Sequence, residues 1–227
     1  MTYEFDFAAV LELWPLLLEG VITTLELSAV TTVLGIVIGA ACAATATGGP
    51  RWARVLVGAY VELIRNTPLL IQAYFLIFGI ASLGLRIPIL LGGIIALTVN
   101  IGAYTTEIVR AGIESIHCGQ LEAAETLGLS RVQIYLHVII GPAIERVYPA
   151  LTSQYVLLML ASSILSSVGV EELFGMSNRI QSDTFRNFEV FVVLGVLYLL
   201  LAILVRAAFR TLGLLAFPRL RRLRTPL

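Results

Sequence analysis

Five stretches of the chain stay apolar for long enough to cross a bilayer, roughly residues 20–46, 55–80, 88–110, 146–168 and 188–210. A spanning helix needs about 20 mainly apolar residues, and lipid offers no partner to an open sheet edge, so each stretch is predicted to be a helix. Between the third and fourth lies the longest soluble piece, residues 111–145, too polar to span but with a helical pattern. Ahead of the first, Phe7, Val10, Leu11, Trp14, Leu17 and Leu18 recur at helical spacing among Glu4, Asp6, Glu12 and Glu19, the pattern of a short amphipathic helix in the membrane interface. The second stretch is the weakest, because Glu62 and Arg65 fall inside it and unpaired charges at membrane depth are expensive. Residues 52–66 are therefore candidates for the interface, with the span beginning nearer Pro68.

Composition supports this pattern. Of 227 residues 58% are apolar and 13% charged, with a mean hydropathy of +0.93; a soluble domain carries about 25% charged residues. That argues for an integral membrane protein and against a secreted, disordered or nucleic-acid-binding one. The 15 basic residues, all Arg, balance 15 acidic ones, so only their placement is informative. With the N-terminus outside, eleven arginines (51, 54, 110, 131, 146, 206, 210, 219, 221, 222 and 224) fall on the cytoplasmic side and three (86, 179 and 186) on the other. The positive-inside rule then predicts N-terminus out and C-terminus in. The acidic N-terminus lacks the positive start of a cleaved signal peptide, so the first span is expected to be retained. Cys42 and Cys118 have no nearby thiol, and His117 and His137 stand 20 residues apart without a Cys partner, which predicts neither a disulfide framework nor a metal site.

No repeat of 20–50 residues is visible, nor an inverted pair of halves of the kind secondary transporters use. Five spans are too few to enclose a solute path, so the chain is expected to pair with itself or a sibling. In the soluble stretch, Glu122-Ala123-Ala124 is followed after three residues by Gly128, then by Ser130 and an apolar run ending in Gly141-Pro142. A helix closed by a left-handed glycine, and a second helix capped by Ser130, make a shape suited to a partner's groove.

That stretch resembles the EAA loop of binding-protein-dependent ABC importer permeases, in which it is the coupling helix docked on the ATPase. The resemblance implies that Glu122, Ala123, Ala124 and Gly128 meet an ATPase subunit. One departure is that Pro142 is displaced by one position from the family's usual Pro. Glu62-Leu-Ile-Arg65-Asn66-Thr67-Pro68-Leu-Leu-Ile-Gln72 is similar to an element of the polar amino acid permeases for histidine, glutamine, arginine and opines, with Asn66 replacing the usual Gly. Either residue tolerates a left-handed backbone there. Asn100-x-Gly102-Ala103-Tyr104-x-x-Glu107-x-x-Arg110 and Glu172-Leu173 leading to Phe185-Arg186-x-Phe188-Glu189 extend the likeness over nearly the whole chain.

The fold so implied is all-α and integral to the membrane, a single type I ABC importer transmembrane domain over residues 1–227 with its coupling loop at 111–145. The function implied is that of a permease subunit without its own ATPase site, in a bacterial inner membrane. Its partners would be ABC ATPases that bind ATP and Mg, a second permease chain, a solute-binding protein, the amino acid and the lipid bilayer, with no nucleic acid. Gly48-Gly49-Pro50 lacks the Gly-Lys-Ser/Thr of a phosphate loop. Asn100 and Gln154 are neutral amides at membrane depth, which must face a cavity or a partner; interhelical bonding explains them as well as solute contact does. In related permeases the position of Asn100 and an acid matching Gln154 are implied in substrate binding. That acid is missing here, and a Lys-Asp/Glu pair one turn later is replaced by Leu160-Ala161. A substrate without a cationic side chain, or one held by the sibling subunit, is then expected.

Glu107 and Arg110 have the spacing of a local ion pair, which is preferred over a proton relay for the set Glu62, Arg65, Glu107 and Arg110. Glu171, Glu172, Asp183 and Glu189 with Arg179 and Arg186 suit transient docking of a soluble protein on the outer face. The competing classes are an ATP-independent carrier or channel subunit, which lacks its mid-membrane acids, and a membrane scaffold without a solute path.

Overall fold

The computed structural model describes residues 4–217, and among them the chain forms helices and no strand. In order these are α1 (Phe7–Leu11), α2 (Trp14–Gly48), α3 (Arg51–Arg65), α4 (Leu69–Ser82), α5 (Ile89–Glu114), α6 (Cys118–Thr126), α7 (Arg131–Val168), α8 (Leu173–Thr184) and α9 (Asn187–Ala216). α2, α5, α7 and α9 are each long and apolar enough to cross a membrane, and α3 with α4 makes a fifth passage only as a pair bent by 107°. Arg219, Arg221, Arg222 and Arg224 lie outside the described residues.

The helix boundaries depart from the sequence pattern at three places. Trp14, Leu17 and Leu18 belong to the long α2, whose first turn holds Pro15, so the separate amphipathic helix shrinks to α1. That helix is capped by Asp6, which accepts from the Ala9 amide at 3.2 Å. The second span is not a continuous helix over 55–80. It breaks at Asn66-Thr67-Pro68, where Pro68 has no N–H to donate and restricts the residue before it. Asn66 stays at φ −97°, so the left-handed backbone expected there is not used. Finally, residues 111–145 are not one soluble loop. α5 runs on to Glu114 and α7 is continuous from Arg131 into the fourth span, because a capping box of Ser130 and Gln133 starts a helix early. The chain passes Gly141-Pro142 through seven residues of wider π-helix, Ile134–Ile140, which absorb the ring that an α-turn would reject.

α2 and α5 pack backbone against backbone. A Cβ on Gly39 would stand 2.5 Å from Thr105 Cβ, and one on Gly35 would collide with Ile101; this is the small-residue contact by which membrane helices associate without a hydrophobic drive. Around that pair lie two apolar clusters. Leu27, Ala73, Ile77, Leu97, Ile101, Tyr155 and Leu165 join α2, α4, α5 and α7. Val10, Leu17, Met159, Leu173, Ile180 and Leu194 join α1, α2, α7, α8 and α9.

A buried carboxyl group ties the second cluster together. Glu172, fully buried in the turn between α7 and α8, caps α8 by accepting from the Gly175 amide at 2.9 Å. It also accepts from the Tyr198 hydroxyl of α9 at 2.7 Å and from Thr24 Oγ1 of α2 at 3.4 Å. Thr24 in turn accepts from the Leu173 amide at 3.1 Å. Burial pushes the Glu172 carboxyl above the usual carboxylate range against the pull of these donors.

Glu172→Ala removes the acceptor of the Tyr198 hydroxyl hydrogen and of the helix-capping Gly175 amide. At about 1–3 kcal/mol for each orphaned group, it is expected to lower the midpoint of thermal unfolding in detergent by roughly 5–10 °C. Because the folded chain holds the Glu172 proton more tightly than the unfolded chain, wild-type stability declines as pH rises from the usual carboxylate range through the raised value. Glu172→Gln should flatten that slope, measured by melting from pH 4 to 8; an unchanged slope refutes the assignment to this carboxyl.

Candidate functional site

The bend after α3 opens a cavity of about 450 Å³ whose lining includes Arg65, Thr67, Asn100, Tyr104, Gln154 and Ala161. Asn100 on α5 and Gln154 on α7, the two amides singled out by depth in the sequence, thus face one space. Asn100 Nδ2 donates to Gln72 Oε1 at 3.0 Å. The Gln72 Nε2 group reaches Ile64 O at 2.8 Å, Thr67 O at 3.0 Å and Thr67 Oγ1 at 2.8 Å. Its two hydrogens serve the Ile64 and Thr67 carbonyls at the break, where Pro68 has no N–H to give Ile64 O its usual i+4 bond. The sequence held the signal for this role, a Gln four residues after a helix-breaking Pro at membrane depth, but only the fold reveals what it satisfies.

Gln154 has no hydrogen-bond partner among the described residues and is half-buried. The lining contains one cation, Arg65, and no carboxylate. Arg65 lies 5.4 Å above the Tyr104 ring and also borders a second cavity of about 640 Å³, with Gly58, Glu62, Tyr104 and Glu107. There it stands 3.6 Å from Glu107. Arg110 binds Glu107 at 2.8 Å and Glu114 at 2.7 Å. The local Glu107–Arg110 pair read from spacing is therefore the middle of a four-residue chain, Arg65–Glu107–Arg110–Glu114, which joins α3 to α5. Glu62 makes no ion pair in it.

The turn between α6 and α7 follows from its sequence. Gly128 has φ +74°, and the Gly128 and Leu129 amides donate to Glu125 O at 2.9 Å and Ala124 O at 3.2 Å, the double bond of a Schellman ending. Glu122, Ala123 and Gly128 are exposed, and Leu127 and Val132 beside them are 80% and 67% exposed. Ala124 faces inward at 4% exposure, so it supports the helix and a docking partner would not touch it. His117 caps α6 by accepting from the Gly119 amide at 3.1 Å.

On the opposite side of the chain the expected ring of docking charges is smaller than its composition suggests. Glu172 and Glu189 are fully buried. Glu189 accepts from the Asp6 amide at 2.9 Å and pairs with Arg186 at 3.8 Å, and Arg186 also donates to Glu4 O at 2.9 Å. These acids lock α1 and α8 to α9. What remains exposed includes the charges of Glu171, Arg179 and Asp183 and the rings of Phe185 and Phe188, with Phe185 held at φ 58° at the end of α8.

Residues 35–214 match the family described as the binding-protein-dependent transport system inner membrane component. The chain belongs to this family. Family members are transport subunits of the inner membrane, and the break, cavity and turn described above all fall within the matched residues. Among its relatives, the nopaline transport system permease protein NocM of Agrobacterium fabrum is 33% identical over 88% of this chain and 87% of its own length. The glutamine transport system permease protein GlnP of Escherichia coli K12 is 33% identical over 92% and 96%. A crystal structure of an amino acid ABC transporter with histidines matches with a TM-score of 0.87 and 31% identity, over 93% of this chain and 99% of that one. The MetNI methionine ABC transporter, inward facing, shares the fold at 23% identity and a TM-score of 0.74. The fold is therefore that of an ABC importer permease.

Proposed function

We propose that this chain is the transmembrane permease subunit of an ATP-driven importer of polar amino acids or related opines. It takes solute from a solute-binding protein and works with a second permease chain, identical or sibling, and with ABC ATPases that bind the ATP and Mg. The observation that carries the reading is the cavity at the α3–α4 break, where Asn100 and the unpaired amide of Gln154 face one space. Neutral amides and a single guanidinium, with no carboxylate, favour a solute whose side chain is neutral or acidic. The names of relatives that transport glutamine and nopaline support the solute class.

The ATPase is proposed to grip Glu122, Ala123 and Gly128, with Ala124 holding the helix from behind. Closure of the ATPases on ATP then moves the turn, and α7 carries that motion to Gln154 in the cavity. Access switches through differential affinity for the two states. The arginine distribution orients the chain with its N-terminus outside and its C-terminus and α6 turn in the cytoplasm.

Three outcomes test this reading. Gly128→Asp, whose side chain enters open space at a backbone angle that costs about 1–2 kcal/mol, should insert normally. It should nevertheless lose co-purifying ATPase and more than about nine-tenths of coupled uptake, where each lost tenfold corresponds to about 1.4 kcal/mol of coupling; normal uptake would sink the docking assignment. Gln154→Glu places an acid in the cavity and should raise inhibition of uptake by arginine relative to glutamine several-fold; an unchanged ratio in a complex active for transport refutes solute contact at this position. Cys118, exposed at the start of α6, should react with a membrane-impermeant maleimide in inverted vesicles and not in intact cells, and the reverse pattern overturns the orientation.

A further inference from the structure

On the far side of α7 from the cavity, a groove of about 500 Å³ runs between α7 and α9, bordered by Pro149, Thr152, Ser153, Ile203, Arg206 and Arg210 among others. At about 100° per residue, positions 149 and 152 lie roughly 120–180° around the helix from Gln154 and Ala161, and position 153 about 80–100°, so groove and cavity are lined by different residues of α7. The two helices are held in register along it. The Tyr148 hydroxyl donates to Phe209 O at 2.5 Å, and the Tyr155 and Phe209 rings stack with centroids 5.5 Å apart.

The chemistry of the groove is amphipathic along its length. Residues 190–205 of α9 form 16 consecutive uncharged positions, about 24 Å of helix, so Arg206 and Arg210 stand where hydrocarbon gives way to headgroups. Both are exposed and one turn apart, and neither has an ion-pair or hydrogen-bond partner among the described residues. Arg65, Arg110, Arg146 and Arg186, by contrast, are each engaged within the chain. Glu145, one turn before Pro149, pairs with neither groove arginine. Thr152 donates to Tyr148 O at 3.0 Å, while the exposed Ser153 hydroxyl has no partner. The sequence after residue 217 adds four arginines and no acid.

We infer that this groove binds one anionic glycerophospholipid, with its phosphate between Arg206 and Arg210, its glycerol against Ser153 and an acyl chain along Leu199 and Ile203. Two guanidinium groups one turn apart suit a phosphate, and a basic pocket between membrane helices with apolar walls is a lipid-headgroup site by its chemistry. A second copy of this chain seated isologously on the groove would set arginine against arginine, which disfavours it as occupant. The inference goes beyond transport and does not depend on the solute carried.

The test is native mass spectrometry of the full chain in detergent, titrated with phosphatidylglycerol or phosphatidylcholine. One phosphatidylglycerol should bind to wild type, and Arg206→Gln with Arg210→Gln should weaken it on the order of 30-fold. Ala207→Trp, at an exposed position lining the groove, should weaken it with both charges intact. Arg51→Gln with Arg54→Gln, which removes two exposed arginines elsewhere, should leave it unchanged, and millimolar inorganic phosphate should not displace the lipid. Unaltered binding by the groove variants overturns the proposal. Equal loss in the Arg51 and Arg54 variant also overturns it, in favour of diffuse charge. Displacement by phosphate makes it an ion site, and a dimer that takes up no lipid means that a second chain covers the groove.

Discussion

Inside a bilayer no water replaces a backbone hydrogen bond that a helix gives up, so every interruption must be satisfied by the protein itself. The break at Asn66-Thr67-Pro68 is the place where this chain meets that demand most openly. Gln72 turns its amide back to the carbonyls of Ile64 and Thr67, and Asn100 holds the Gln72 carbonyl in place from α5. The bend can therefore exist with its carbonyls satisfied, and the space it leaves becomes the polar cavity. Fold and site share one cause: the same hydrogen bonds that make the break tolerable place Asn100 at the cavity wall.

Around this feature the structure divides its rigidity unevenly. The close contact of Gly35 and Gly39 on α2 with α5 and the buried carboxyl of Glu172 between α2, α8 and α9 leave little freedom in one half of the chain. Side chains there have one arrangement, because closely packed interiors and satisfied buried polar groups resist displacement. α7 differs. It starts at the Ser130 capping box, passes through a π-helical stretch before Pro142, and ends at Val168. The exposed turn at Gly128 and the cavity residue Gln154 are thus connected by one continuous helix, which can carry a displacement between them. The ion-pair chain from Arg65 to Glu114 joins α3 to α5 beside the same cavity.

The groove between α7 and α9 gives α7 a second role. One face of the helix meets the polar cavity and another meets a basic, apolar-walled cleft. An occupant of that cleft would act on the helix that also leads to the coupling turn.

Helical class, membrane residence and the four long spanning helices were legible from the apolar runs alone, because hydrocarbon imposes its demand on each segment separately, without reference to its neighbours; the bent α3–α4 pair was not. The α6–Gly128–Ser130 turn was legible for a similar reason: a Schellman ending and a capping box are closed by residues within a few positions of one another. Asn100 and Gln154 were identifiable as amides that needed partners, though not as neighbours. Contacts between distant segments were decided only by the tertiary structure. Glu172 and Glu189 looked like surface charges and are buried locks, because their partners come from Thr24, Tyr198 and Asp6, far away in the chain. The meeting of Arg65 with Glu107, the service of Gln72 to a broken helix and the inward turn of Ala124 belong to the same class. Local sequence determines where a helix starts and stops, since its bonds close within four residues. Which charge is buried and which amide faces a cavity depends on how whole helices lie against one another, and that is set by packing over the entire chain.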